Sequence, residues 1–278
     1  MADHLETRFK NSWARLNRAV DHASVIAKEW ASFGESGFPT VARYDHDSGW
    51  FIASISPGTP FGTAKQTALA LELGEYAYQL RAALDGLIWD AITFTQGTEP
   101  PADANRLEFP IMNGRDRDFK KCAFHKFPFP GKLRDWIESI QPDAAEKSEG
   151  DPDRGLRNTL QTIHNLARFD RHRRLRLVAV AVHAVDFKVI SEPPCRVTDH
   201  EIIETFDLFD GHYEYLRFRA STADGNVPTN ARLESNVALE IVFEDIEMYD
   251  LGRIGDELKR FGQAVRHVII RFEEEFRA

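Results

Sequence analysis

Cysteine is nearly absent: there are two in 278 residues, Cys122 and Cys195, far apart and in no metal-like spacing. That excludes a disulfide scaffold or a cysteine-built zinc site, and the usage fits a reducing cytoplasm. Long apolar runs are missing too. The longest is Leu177–Val182, extendable past His183 to Val185, whereas a membrane helix needs roughly 20 apolar residues. It reads as a buried strand, and no membrane association is expected. The first residues carry charge at Asp3 and Glu6, unlike a secretory leader. Methionine is scarce, 3 residues against 20 Phe, which points to a rigid aromatic core. A basic excess is lacking as well, since the net charge is -9, so a surface that binds nucleic acid throughout is excluded. There is no P-loop, no Gly-x-Gly-x-x-Gly after a strand, no Gly-x-Ser-x-Gly elbow and no His-Glu-x-x-His. No cofactor and no metal is therefore expected.

What is present is an ordinary globular composition, 42% hydrophobic and 28% charged, on a chain long enough for a sizeable core. Leu5, Phe9, Trp13, Leu16, Val20, Ala23, Ala27 and Trp30 recur in steps of three and four, which predicts one helical stripe ended by Gly34 and Gly37. Two β-rich runs, 41–44 and 50–55, flank Asp45–Gly49 and predict a hairpin. A second long helix is expected over 65–94, widened by Ala77, Ala83 and Ile88 and so central. Residues 96–130 are rich in Pro, Gly and Asp and read as loop. A short helix follows at 133–140, a polar linker at 141–152, and a third long helix at 153–169. The run 175–190 reads as a buried strand, 201–208 and 213–218 as a hairpin around Asp210-Gly211, and 236–243 as another strand. The expected architecture is one α+β domain over 1–278. Its helical part, 1–173, carries a small hairpin at 40–56; a β-rich part, 174–248, precedes a closing helix at 250–276. This is a long-helix bundle with an antiparallel sheet inserted before the C-terminal helix.

Positive charge concentrates in one place. From Asp151 to Arg176 seven arginines oppose three aspartates, a local +4 that leaves about -13 for the remaining residues. Five of those arginines crowd into Arg168–Arg176. Arginine forks suit phosphate oxygens, so an anionic ligand or RNA could bind there; equally, cations at a helix C-terminus complement its dipole. Within the segment, Arg157 and His164 project from nearly the same side of the helix. Such a pair could cleave RNA, His moving the proton and Arg stabilising phosphate charge, with His172 a further candidate. Three other Arg/His pairs share the seven-residue spacing, Arg15/His22, Arg176/His183 and Arg260/His267, so spacing alone does not single this one out. Arg81 and Asp85, at i and i+4 in the apolar second helix, must be paired or face a cavity. Asp170 and His172 could join them, Asp orienting His. The ordinary alternative is a structural ion-pair network.

Arg157-Asn158 with His164 resembles the Arg-x4-6-His motif of HEPN ribonucleases, which would imply a homodimer with both pairs facing a two-fold groove. Leu80-Arg81-Ala82-Ala83-Leu84-Asp85 resembles the Leu-Arg-x-Ala-Leu-Asp-His motif of an uncharacterised bacterial family. Glu108-Phe109-Pro110-Ile111 is similar to that family's Phe-Pro-Ile segment, Ile140-Gln141-Pro142 to its Gln-Pro turn, and Phe169-Asp170-Arg171-His172-Arg173 to its Ile-Asp-Lys-His-Arg signature. Together these cover about residues 40–175, and Gly86 stands where the family has His. The resemblance implies a shared fold and polar site but carries no activity. The expected function is an intracellular bacterial binding protein that takes a partner or small anionic ligand at Arg81, Asp85, Asp170, His172 and Arg173. A metal-independent ribonuclease of a defence or toxin system, using Arg157, His164 and His172, is the alternative.

Overall fold

The computed structural model describes residues 8–35, 40–55, 63–101, 104–112, 123–127, 129–142, 151–172, 177–203, 205–206, 213–229, 231–243 and 254–277. Five helices are present among them: α1 (Lys10–Glu35), α2 (Thr63–Gln96), α3 (Gly131–Ser139), α4 (Arg154–His172) and α5 (Ile254–Arg277). Seven strands accompany them: β1 (Thr40–Asp45), β2 (Trp50–Ile55), β3 (Leu177–Ile190), β4 (Cys195–Ile202), β5 (Thr205–Phe206), β6 (Tyr213–Thr222) and β7 (Arg232–Phe243). The fold is α+β, with the C-terminal helix after the strands, as the periodicities predict. It divides into two compact units. One comprises residues 1–27, 71–174 and 255–278, and the other 28–70 and 175–254.

In the first unit α2 is the axis. Leu73, Tyr76, Ala77, Leu80, Ala83, Leu84, Leu87, Ile88, Ala91 and Ile92 are all buried, so most of its circumference is covered, which is what an all-round apolar helix requires. α4 brings Leu160, Ile163, Leu166 and Ala167 to the core, and α5 brings Phe261, Val265, Val268, Ile269 and Phe272. The phenylalanine excess is used here. Phe272, fully buried, meets Phe9 at 6.2 Å, Phe109 at 6.3 Å and Phe276 at 6.2 Å between ring centroids, and Phe9 also meets Phe276 at 5.8 Å. These contacts, with the Trp13 Nε1 to Glu273 Oε1 hydrogen bond of 2.7 Å, run α1 antiparallel to α5.

The second unit holds two antiparallel sheets, ordered β1-β2-β6-β4 and β5-β3-β7. The hairpin at 40–56, assigned from sequence to the helical part, instead joins the C-terminal strands: Phe51 pairs with Phe218, and the rings stack at 5.0 Å. Phe187 of β3 reaches Phe218 at 5.8 Å, and the Tyr215 and Ser235 hydroxyls bond at 2.6 Å, so the two sheets share one core. β4, from Cys195, is a strand that the sequence reading began only at 201. β3 departs from the expected buried strand over its last residues, where Asp186, Lys188 and Ile190 are exposed. The reason is its neighbours: β7 pairs along its length, but β5 covers only Val180 and Ala181.

Because three aromatic rings close on Phe272, Phe272→Ala leaves a cavity that neighbouring helices cannot fill. Urea denaturation is expected to show a loss of about 3–5 kcal/mol, with the midpoint lowered and the slope unchanged.

Candidate functional site

Arg81 and Asp85, one turn apart on α2, leave the helix on the same side. Arg81 Nη2 lies 3.0 Å from Asp85 Oδ1 and donates to the carbonyl of Phe109 at 2.8 Å, while the Phe109 N–H donates to the same Asp85 oxygen at 2.8 Å. Glu108 comes within 3.7 Å of the guanidinium. Buried ion pairs persist only when hydrogen bonds complete them, and here an extended backbone supplies those bonds. Gln141 repeats the device three residues on. Its Oε1 accepts from the Met112 N–H at 3.0 Å, and its Nε2 donates to the Ile137 carbonyl at 2.8 Å. Three of the segments that carry the family resemblance thus meet, and what they do together is fasten residues 109–112. Arg81 Nη1, buried, has no hydrogen-bond partner.

Gly86 follows from the same packing. A Cβ at this position would lie 3.0 Å from Ser12 Oγ of α1, so α1 fills the room that a histidine would need. Asp170 and His172 fall on the last turn of α4, but their side chains lie outside the described residues, as does all of Arg173. Of the arginine run 168–176, only the Arg168 side chain is described, and it is exposed.

Arg157 requires a correction. Pairing with His164 over a phosphate requires an accessible guanidinium, yet Arg157 is 3% exposed. Its Nη2 donates to Asp151 Oδ2 at 2.8 Å, a carboxylate equally buried, and its Nη1 to the Ser139 carbonyl at 3.3 Å. Asp151 also accepts from the Asp153 N–H at 3.0 Å just ahead of α4, where a negative charge suits the helix dipole. The guanidinium is turned back along the helix, as helical side chains lean, and offers no free fork to a phosphate. His164, two turns on and half-buried, has partners of its own. His22, which shares the seven-residue spacing with Arg15, has a side chain only 12% exposed and meets Glu72 at 2.7 Å.

Among the described residues no group of three His, Cys, Asp or Glu side chains could hold a metal ion, and no helix is long and apolar enough to cross a membrane.

Sequence reasoning missed a cleft of about 500 Å³ between α1 and α5. The expected α1 stripe holds at Phe9 and Leu16, but beyond them the buried face of the helix passes to Ala19 and Ile26 rather than Val20, Ala23 and Ala27, leaving Val20 53% exposed. Its apolar band is wider than its buried face, and the surplus becomes the cleft wall. Opposite stand Gly255, Leu258 and Gly262 of α5, with the Tyr76 ring beneath. The Tyr76 hydroxyl donates to the Leu258 carbonyl, and burial pushes the phenol above its usual pKa, so it stays neutral. Lys259, Gln263 and Arg266 edge the cleft, and among the described residues no Asp or Glu lines it. The signal available in the sequence was Gly255 and Gly262, seven apart and hence on one face of α5, opposite small residues of α1.

A second missed group is Asp90 on α2. Its carboxyl accepts from Asn11, faces Lys10 and Glu99, and has Oδ2 buried without a partner. Burial raises its pKa to about 6.

No protein-family model, curated protein or solved structure matches this chain.

Asp151→Leu alone should strand a buried guanidinium and cost about 3–5 kcal/mol, whereas the Asp151→Leu/Arg157→Met double variant should recover most of that; chemical denaturation of the three proteins measures both. Asp90 binds a proton more tightly folded than unfolded, so its neutral form favours the fold and that contribution is lost as pH rises through about 6. Asp90→Asn is therefore expected to raise the melting temperature at pH 8, with the gain vanishing toward pH 4.

Proposed function

We propose that this chain is an intracellular, non-catalytic binding protein that takes a small anionic ligand with an apolar body in the cleft between α1 and α5. One observation carries the reading: in a chain of net charge -9, this cleft is edged by Lys259 and Arg266, and no acid lines it among the described residues. Its volume of about 500 Å³ falls within the range of small-molecule sites, and its lining has their character, apolar walls with a few polar groups. Two polar tips that reach it are already satisfied, Tyr76 Oη on Leu258 and Trp13 Nε1 on Glu273, so the interior asks for apolar contact. Supporting the non-catalytic half, Arg157 is spent on Asp151 and Ser139, and Arg81 and Asp85 hold the Phe109 backbone.

Titration with 8-anilinonaphthalene-1-sulfonate, an anionic apolar dye, tests this. A saturable fluorescence gain at one dye per folded chain is expected. Ala23→Trp, which fills the cleft, and Val20→Glu, at an exposed position, should each weaken the dye about tenfold, or about 1.4 kcal/mol, with unchanged thermal melts. Absence of saturable binding, or binding indifferent to both variants, removes the proposal.

A further inference from the structure

We infer that the ligand is a single extended alkyl chain ended by a carboxylate, its head group on Arg266 and its tail running toward Gly255 and Ala27; this rests on the binding reading above. The dimensions suit an extended occupant. Along α5 the lining runs from Gly255 to Arg266, and along α1 from Trp13 to Ala27, which at 1.5 Å per residue makes the cleft roughly 16–21 Å long. An extended alkyl chain can follow that length with apolar wall on both sides.

Polarity sets the direction. Because α1 and α5 are antiparallel, Trp13, Asn17 and Arg266 gather at one end, and Ala27, Ser24 and Gly255 at the other. The first end concentrates the donors: the Arg266 guanidinium with the Asn17 and Gln263 amides. A guanidinium fork matches a carboxylate in two-point geometry, which an ammonium does not. Arg266 is exposed and has no ion-pair partner among the described residues. Glu273, two turns further on, does not line the cleft, and its Oε1 accepts from Trp13. Lys259 sits midway, where its hydrocarbon stem can cover the tail while the ammonium stays in water. Between the ends the walls are Leu16, Ala19, Val20, Ala23 and Leu258, a continuous apolar track.

Isothermal titration of the full chain with laurate and with dodecanol, both below their aggregation concentrations, tests the assignment beside the dye. Laurate should bind one per chain and displace the dye. Arg266→Glu should weaken laurate by about tenfold or more and leave dodecanol within about threefold, while butyrate, with the head but no tail, should not displace the dye. If the dye binds but laurate fails to displace it, or if Arg266→Glu affects laurate and dodecanol alike, the carboxylate assignment is overturned and the cleft reading stands. If neither dye nor laurate binds, both fall.

Discussion

The helical unit hangs on the grip that α2 takes on the backbone of Phe109. Arg81 and Asp85 satisfy both its carbonyl and its N–H, and so hold an extended segment against an otherwise apolar helix. Without them, a peptide group buried at this depth would be unpaired, at about 1–3 kcal/mol per group. The consequence reaches beyond the segment. With its backbone fixed, Phe109 presents its ring to Phe272, which also receives Phe9 and Phe276. The aromatic cluster thereby sets how α5 lies along α1, and with it the walls of the cleft.

Arginine does in this unit what disulfides do elsewhere. Arg81 donates to Phe109, Arg134 to the carbonyl of Phe127 at 3.1 Å, and Arg157 to that of Ser139. Each acceptor belongs to a segment outside the helices or at a helix end, where no ladder provides donors. A guanidinium suits the task because its several N–H groups can serve a carboxylate and a carbonyl at once. Charge concentrated in the sequence is therefore not the same as charge available to a ligand. Of the seven arginines between Asp151 and Arg176, Arg157 is already engaged by Asp151.

The elements were legible because their signals are local. The three-and-four spacing from Phe9 onward gives α1, the apolar run through Leu80 and Leu87 gives α2, and the β-rich runs around Asp45–Gly49 give the first hairpin. What stayed hidden depends on contacts distant in sequence. Phe51 pairs with Phe218, and nothing near either residue announces it. Arg157 looks like a partner of His164 until Asp151 and Ser139 are brought to it. Val20 looks like core until α5 arrives with glycines rather than side chains large enough to cover it. Arg81 and Asp85 were legible as a pair, but not as a backbone clamp, since their acceptor and donor lie 28 and 24 residues on, respectively.

An acidic chain is an unlikely place for an anion only if its charge is felt as a whole. At physiological ionic strength the screening length is about 8 Å, so exposed carboxylates farther away than that contribute little inside the cleft. Among the described residues the charges that line the cleft are those of Lys259 and Arg266, and the nearby Glu273 carboxylate is engaged by Trp13. Charge at an exposed rim is still weak by itself, about 0–1 kcal/mol for a single ion pair, and would not hold a small hydrophilic anion against solvent. Affinity has to come from the apolar track, at about 0.8 kcal/mol for each methylene buried, and the cations then choose among ligands that already fit it. The apolar track and the cationic rim are therefore complementary requirements: the first supplies most of the free energy, the second most of the selectivity.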